Sequence, residues 1–130
     1  MAPRGIRTER APAPVAGAPY QQAVAAMPGE VVWVSGQVPL DATTGALAAD
    51  DVAGQTRACL AHVRAIVEEA GGSMSDVVKT TVYMLDLGQF AAMNEVYAKH
   101  FAAPFPAASQ QFAYFQAAGG IATIANTTTT

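Results

Sequence analysis

Apolar residues recur at helical spacing in two stretches of the chain. The first begins after Asp50 and Asp51, which offer an N-cap and a negative first turn, and ends at about Ala70, where Gly71 and Gly72 interrupt it. Its apolar face consists of Val52, Cys59, Val63, Ile66 and Val67. The second stretch, which precedes two prolines, has an apolar face of Phe90, Met93, Val96, Tyr97 and His100. The sequence therefore predicts two amphipathic helices.

Runs rich in β-branched and aromatic residues predict strands between and around these helices. They are Val77 to Leu85, which is the strongest, and Tyr20 to Met27, Val31 to Ser35, Ser109 to Phe115 and Ile121 to Thr129. The turn Pro28-Gly29 predicts that the first two strands of the chain pair, and Gly119-Gly120 predicts a closing hairpin for the last two. The order of elements indicates an α+β domain with two helices on one face of a mixed sheet.

Length and patterning together predict one domain. The chain has 130 residues, of which 52% are hydrophobic, enough for a single core. Residues 1–18 are rich in proline and alanine and are predicted to form an extended N-terminal arm, so the domain spans residues 19–130. Two helices cover only one face of the sheet, and the other face carries few charges. A small domain with such a face is expected to self-associate, with a pocket where subunits meet.

Composition removes several classes of function. Seven Lys plus Arg against ten Asp plus Glu give a net charge of −3 with no basic stripe, which argues against nucleic acid as a partner. The apolar runs are far shorter than the ~20 residues of a membrane helix, so no membrane association is expected. A single cysteine and the lack of an apolar leader after the N-terminal arginines predict a cytoplasmic protein. His62 and His100 have no Cys or carboxylate partners at ligand spacing, so no metal site is expected.

Charge is unevenly distributed along the chain. Residues 101–130 contain no charged side chain, whereas an average soluble sequence carries about a quarter. Either this segment is buried between subunits, where charge is costly, or charges once present have been removed. Two side chains outside it also carry expectations. Cys59 on the apolar helix face is expected to be buried, and Trp33 is expected either to pack within the sheet or to line a pocket.

Several segments together resemble the Rid family, the reactive intermediate deaminases also called YjgF-type proteins. They read AGAPYQQAV from Ala16, VSGQVP from Val34, AIVEEAG from Ala65, DVVKTTV from Asp76, FAAMNEVY from Phe90 and FPA from Phe105. The resemblance extends from about residue 8 to residue 127. It implies a chorismate-mutase-like α+β fold and a homotrimer with three ligand pockets between adjacent subunits. Many members hydrolyse the enamine or imine products of amino-acid dehydratases to 2-keto acids and ammonia, without a metal or cofactor.

The resemblance also indicates which site residues differ. In the family an arginine directly follows the Phe-Pro-Ala motif and anchors the substrate carboxylate, and here that position is Ala108. The acidic positions of the last strand, one of which is thought to position water, become Thr123 and Ala125, and the serine after Pro-Tyr becomes Gln21. The pocket positions that the resemblance retains are Tyr20, Gly36, Phe90, Asn94 and Gln110.

Strand alternation suggests what such a pocket would hold. If residues 107–115 form a strand, one of its faces presents Ala108, Gln110, Phe112 and Tyr114. Small, aromatic and neutral polar side chains suit an uncharged, flat, largely apolar ligand. The first hypothesis is therefore a trimer with remodelled, uncharged intersubunit pockets, either engineered or naturally divergent, as in a biosynthetic cyclase. The second is an imine deaminase of 2-iminobutanoate or 2-iminopropanoate with weakened activity. The third is a non-enzymatic interaction scaffold.

Overall fold

The computed structural model describes residues 4–14, 18–26, 29–112 and 121–129, with residues 109–112 and 121–129 described through their backbone. Its strands are β1 (Arg4–Ile6), β2 (Ala23–Ala25), β3 (Val31–Gln37), β4 (Val77–Met84), β5 (Ala107–Phe112) and β6 (Ile121–Thr129). Its helices are α1 (Val52–Glu69) and α2 (Phe90–His100), and the 3-10 turns Met74–Asp76 and Leu87–Gln89 precede β4 and α2. Both predicted helices are confirmed.

Four strands form the main sheet in the order β3-β6-β4-β5. Strand β5 runs parallel to β4, whereas β6 is antiparallel to both β3 and β4. The sheet is therefore mixed, as expected. A connection between parallel strands needs a crossover, and α2 supplies it between β4 and β5. Strands β1 and β2 form a separate two-stranded sheet.

Two predicted pairings are wrong. The segment before Pro28-Gly29 pairs with the N-terminal arm, so that Ile6 lies opposite Ala23, and β3 pairs with β6, so that Trp33 lies opposite Thr127. Strands β5 and β6 flank β4 on opposite sides instead of pairing with each other as a hairpin. The reason is that the parallel crossover places β5 on one edge of β4 and leaves the other edge open for β6. The turn residues between two strands show where each strand ends. They do not show which strand will pair with which edge of β4.

The core lies between the main sheet and the two helices. Alternate residues of β4, namely Thr80, Val82 and Met84, are buried on the helix side. They pack with Val34 of β3 and with a cluster from both helices that includes Cys59, Leu60, Val63, Val67, Met93 and Tyr97. Both helices therefore cover the same face of the sheet, which confirms the predicted α+β architecture.

The predictions for the side chains of Cys59 and Trp33 have different results. Cys59 is fully buried, as predicted, and its thiol donates to the backbone oxygen of Gln37 at 3.6 Å. Trp33 is 78% exposed, so in the isolated chain it neither packs within the sheet nor lines a closed pocket. The cause is the phase of β3: Val34 is the residue that turns toward the helices, and Trp33 therefore points to the uncovered face.

The ends of α1 follow the sequence signals in part. Asp51 occupies the N-cap with an extended backbone, but it makes no side-chain cap hydrogen bond within the described residues. At the other end the Gly71 N–H donates to Glu68 O and the Gly72 N–H donates to Val67 O, which is a Schellman motif. Gly71 has a positive φ of 91°, a conformation that glycine adopts without strain. The prediction that Gly71 and Gly72 end α1 is thus confirmed, and the end is a glycine C-cap.

A candidate substrate cleft beside the N-terminal arm

A cleft of about 310 Å³ lies between the N-terminal arm, the segment that leads into β2, and the segment that leads into β5. Its described lining consists of Ile6, Arg7, Ala13, Pro14, Ala18, Tyr20, Gln21, Gln22 and Phe105. Tyr20 and Phe105 are half-buried there, and both belong to the segments that carry the family resemblance. The tertiary structure therefore brings together two motifs that are far apart in the sequence.

The Gln22 side chain holds the arm in place. Its Oε1 accepts a hydrogen bond from the Thr8 backbone N–H at 2.7 Å. Its Nε2 donates to the backbone oxygens of Thr8, Ala11 and Pro12 at 3.1, 3.2 and 2.8 Å. The Gln22 amide thus forms hydrogen bonds with backbone groups of the arm. Proline has no N–H to donate, so a proline-rich segment forms few such bonds within itself. This part of the arm has no regular secondary structure but a defined position.

Two further contacts connect the cleft to the main sheet. The Gln21 N–H donates to Pro106 O at 3.5 Å, directly before the first residue of β5. Phe105 packs partly against the hydrophobic core, so its ring is fixed by the core on one side and borders the cleft on the other. The cleft therefore lies next to the start of β5, where the family resemblance places the anchoring arginine.

The charge in this cleft comes from Arg7. Among the cleft residues that the structure describes, it is the one cation, and none carries a carboxylate. No acidic side chain within residues 4–14, 18–26, 29–112 and 121–129 forms an ion pair with Arg7, so its guanidinium is not neutralised by a described acid. Sequence reasoning did not single out Arg7. The signal that was available is that three of the chain's seven cations, Arg4, Arg7 and Arg10, lie in a proline-rich arm of a chain with a net negative charge.

The other predicted pocket residues lie apart from this cleft. Gly36 is exposed on β3, where the pairing with β6 shifts register between Val34 and Gln37. Phe90 and Asn94 are half-buried on α2, and Phe90 packs against the core. None of these three lines the cleft in the described part of the chain. Within one chain the structure therefore brings together only some of the positions that the family resemblance indicates.

The β5 positions that strand alternation predicts on one face pair with the residues of β4 that face the helices. Ala108 and Gln110 lie beside Thr80 and Val82, and Phe112 lies beside Met84. These β4 residues are the buried ones, so the alternate positions of β5 are on the covered side of the sheet. Tyr114, the fourth member of that predicted face, lies outside the described residues.

Ala108 and Ala125 occupy positions on opposite faces of the sheet. Ala108 pairs with Thr80, which is buried under α2, whereas Ala125 pairs with Thr81, the next residue of β4. Adjacent residues of a strand face opposite sides of the sheet. One chain therefore does not place these two positions in a common site. Because β5 is an edge strand, Ala108 lies at the border of the sheet, where a second chain can approach.

A larger cleft of about 420 Å³ lies elsewhere, between residues 37–45 and α1. There Asp41 closes a turn: its Oδ1 accepts from the N–H groups of Thr43 and Thr44 at 2.8 and 2.9 Å. These hydrogen bonds, first from Thr44 and then from Thr43, hold the pKa of Asp41 below its usual value. His62 Nε2 lies 2.6 Å from Leu40 O. The Asp41 carboxylate and the His62 ring thus contact the backbone of the loop, which indicates a structural role.

Lys79 is the partly buried amine of the sheet. Partial burial lowers its pKa, since desolvation disfavours the ammonium form. Its Nζ donates to Thr80 O at 3.0 Å, so the amine is engaged with the backbone of its own strand. The described residues contain no group of three or more His, Cys, Asp or Glu side chains that could hold a metal ion. None of the described helices is long and apolar enough to cross a membrane.

The fold is that of a small α+β protein of the YjgF/Rid type, and comparison with known proteins gives the same result. The family described as Endoribonuclease L-PSP matches residues 9–114. Over 107 residues the chain is 48% identical to the 2-iminobutanoate/2-iminopropanoate deaminase of Salmonella typhimurium, with 80% of each chain covered. The chain therefore belongs to the Endoribonuclease L-PSP, or Rid, family.

Solved structures agree with this assignment. The Rid family protein YyfB from Yersinia pestis superimposes with a TM-score of 0.87 at 25% identity, over 100% of both chains. TdcF from Escherichia coli, solved with bound serine, superimposes with a TM-score of 0.70 at 35% identity, over 98% of this chain and of TdcF. The family membership and fold that the sequence resemblance implied are thus confirmed.

Proposed function

We propose that this protein is an imine deaminase that hydrolyses small 2-imino acids with reduced efficiency. The observation that carries the proposal is the cleft in which Tyr20 and Phe105, from two motifs of the family, lie together beside the start of β5. A relative with 48% identity is named a 2-iminobutanoate/2-iminopropanoate deaminase, and TdcF was solved with serine, which carries the same carboxylate next to a nitrogen-bearing carbon.

The reaction requires little of the protein. Water adds to the imine carbon, the carbon–nitrogen bond then breaks, ammonia leaves and a 2-keto acid remains. An enamine substrate first tautomerises to the imine, taking up a proton at carbon and releasing one from nitrogen. The protein has to hold the carboxylate and orient the imine carbon toward water. The Tyr20 side chain, half-buried at the cleft wall, is suited to orienting a polar group of the substrate. No described cleft residue supplies a carboxylate to position water, which is the reason to expect a reduced rate.

The active form is proposed to be a homotrimer with pockets between subunits, in the cytoplasm. Two observations support self-association. The main sheet has exposed apolar residues on its uncovered face, foremost Trp33, and its edge strand β5 carries Ala108 at the border where a neighbour can pack. The family positions Gly36, Phe90 and Asn94 lie apart from the Tyr20 cleft in one chain, and a second subunit could complete the site from its own copies.

A second candidate is a remodelled, uncharged pocket for an apolar ligand, whether engineered or natural. It is favoured by Ala108 and Ala125, two methyl groups where the resemblance places an arginine and an acid. It is opposed by the guanidinium of Arg7, because a cation in the cleft wall that no described acid neutralises suits an anionic ligand better than a neutral one. A third candidate, a scaffold that binds no small molecule, follows only if neither class of ligand binds.

The test is a coupled assay in which a serine dehydratase generates 2-iminopropanoate and the decay of this imine is followed with and without the protein. The expected result is a faster decay than in buffer, but slower than with the Salmonella typhimurium relative. The matched variant carries Ala108→Arg together with Ala125→Glu. Restoring the anchor is expected to improve activity by roughly tenfold to a hundredfold, the value of one charged hydrogen bond of about 1.5–3 kcal/mol.

Two results would count against the proposal. If wild-type protein leaves the decay of the imine unchanged, and a thermal-shift screen detects aromatic ligands but no keto acids, the uncharged pocket replaces the deaminase. If the screen detects neither class of ligand, the scaffold is favoured. A double variant that folds and assembles like the wild type but gains no activity would show that Ala108 and Ala125 are not the positions of the lost charges.

A further inference from the structure

We propose that Arg7 binds the substrate carboxylate and so partly replaces the arginine that is missing at Ala108. This inference rests on the proposed deaminase function and identifies the group that recognises the acid. Arg7 lines the same cleft as Tyr20 and Phe105 and is the cation among its described residues. A guanidinium is planar and donates two parallel hydrogen bonds to a carboxylate, a geometry that lysine cannot reproduce.

The backbone of Arg7 is fixed from both sides. The preceding residue, Ile6, is the last residue of β1 and pairs with Ala23 of β2. The following residue, Thr8, is bound by the Gln22 amide through both its N–H and its carbonyl oxygen, at 2.7 and 3.1 Å. A side chain that starts from a fixed backbone loses less conformational freedom when it binds a ligand, which raises affinity. Arg7 is therefore a better candidate for an anchor than an arginine on an unrestrained terminus.

The surroundings of Arg7 leave its charge available. It is exposed, and it forms no ion pair with an acid in the described part of the chain. The other described residues of the cleft are uncharged, and they include Tyr20, Gln21 and Phe105. A small anion in this cleft therefore meets one positive group and no described negative one. The volume of about 310 Å³ is at the lower end of small-molecule sites, which suits a compact acid.

The neighbouring arginines provide matched controls, because neither lines the cleft. Arg4 begins β1 opposite Ala25, and Arg10 lies within the segment that Gln22 holds, between Thr8 and Ala11, with its N–H donating to the Thr8 hydroxyl at 3.2 Å. Both are exposed and carry the same charge on the same arm. A general electrostatic effect of the arm would respond equally to the loss of any of the three arginines. A specific carboxylate contact responds only to the loss of Arg7.

The experiment compares Arg7→Gln, Arg7→Lys, Arg4→Gln and Arg10→Gln in two assays. In the imine assay Arg7→Gln is expected to raise KM by about tenfold or more while kcat changes less than threefold, because a binding contact has been lost. Arg7→Lys should recover part of the affinity, and the two control variants should stay within twofold of wild type. In the second assay, titration with 2-oxobutanoate followed by NMR should show the same order of affinities. The uncharged 2-oxobutanamide should bind wild type and Arg7→Gln equally.

The outcomes separate this inference from the proposed function. If wild type hydrolyses the imine and Arg7→Gln matches it in KM, the deaminase stands and the role of Arg7 is wrong. If wild type shows no hydrolysis but binds 2-oxobutanoate in an Arg7-dependent manner, the deaminase is wrong and the carboxylate site stands. If 2-oxobutanoate does not bind wild type, or binds all four variants equally, the carboxylate site is refuted. Thermal unfolding of each variant verifies that the exposed substitutions leave the fold intact.

Discussion

At the scale of single residues, the hydrogen bond between Thr80 and Tyr97 joins the sheet to α2. The two hydroxyls lie 2.7 Å apart, and both side chains are almost completely buried. A buried hydroxyl that loses its partner keeps the cost of its desolvation, which is larger than the net value of the bond. This pair therefore fixes how α2 sits on the helix side of the sheet.

We expect Tyr97→Phe to lower the free energy of unfolding by about 1–3 kcal/mol, since it leaves the Thr80 hydroxyl buried without its partner. Urea unfolding followed by circular dichroism measures this change. The control is the double variant Tyr97→Phe with Thr80→Val, in which both hydroxyls are gone and part of the stability should return. Additive losses in the double variant would show that the two hydroxyls are not coupled.

Cys59 supplies a prediction on reactivity and pH. Burial raises the pKa of its thiol to about 12, so the native thiol is neutral at ordinary pH. We expect a thiol reagent at pH 8 to leave the folded protein unmodified and to label one thiol per chain in urea. Rapid labelling of the folded protein would mean that the helix-side core opens there.

The raised pKa of the Cys59 thiol also makes the free energy of unfolding fall at alkaline pH. Because the folded pKa of Cys59 is raised from a reference value of 9.0 to about 12, the unfolded state loses its proton first. The stabilising contribution is complete below about pH 9 and is lost as the pH rises toward 12. Tyr97, whose pKa burial raises from 10.0 to about 12, acts in the same direction. Urea midpoints at pH 8, 9.5 and 11 should therefore decrease, and less steeply in Cys59→Ala than in wild type.

At the scale of elements, α1 is stopped by its two glycines in different ways. Only Gly71 has a positive φ, of 91°, although both glycines donate to carbonyls of the last turn. A side chain at a positive φ is strained, whereas one at an ordinary φ is not. The pair therefore allows backbone strain to be separated from a general effect of replacing glycine.

We expect Gly71→Ala to destabilise the protein by about 1 kcal/mol, and Gly72→Ala to change its stability by less than half of that. Nothing lies within 4 Å of the position that a Cβ would take at Gly71, so the loss would come from the backbone and not from a clash. Thermal unfolding of the two variants is the measurement. Equal losses in both variants would contradict the assignment of the cost to the positive φ of Gly71.

The main sheet shows how pairing differs from element formation. Strand β4 was predicted from its own residues, and it is bordered by β5 on one side and β6 on the other. On the side of β4 that faces the helices, Thr80, Val82 and Met84 are buried. The partners of β2 and β6 were predicted incorrectly, since a short strand contains little information on which distant strand will occupy a free edge.

At the scale of the whole molecule, the uncovered sheet face predicts association. Trp33 is the one tryptophan of the sequence and is 78% exposed in the isolated chain. Burying an aromatic ring of this size between subunits is a strong contribution to assembly. The oligomeric state and the fluorescence of Trp33 should therefore change together.

We expect Trp33→Glu to convert the proposed trimer to monomers in light scattering after size-exclusion chromatography. The matched control is Ile66→Glu, which places the same charge at a 38% exposed apolar residue of α1, on the other side of the molecule. In the wild type, dilution should shift the tryptophan emission to longer wavelength as subunits separate. A wild-type monomer at all concentrations, or a trimer that tolerates Trp33→Glu, would contradict the role of this face.

The sequence by itself determined the two helices, strand β4 and the family. Each depends on information within a short segment: the apolar period of α1 and α2, the β-branched run of β4, and motifs such as the one that contains Tyr20. Tyr20 is singled out as a pocket residue for the same reason, and its role in binding stays a prediction. Whether Ala108 and Ala125 mark the lost charges is a prediction that remains to be tested.

The tertiary structure alone decided which distant groups meet. It pairs the N-terminal arm with β2, places Ala108 and Ala125 on opposite faces of the sheet, and brings Arg7 into the same cleft as Tyr20 and Phe105. Arg7 belongs to no local motif, and its position depends on the β1–β2 ladder and the Gln22 amide. The physical reason is that local patterns follow from backbone geometry, whereas contacts between distant segments follow from competition among all edges and faces of the folded chain.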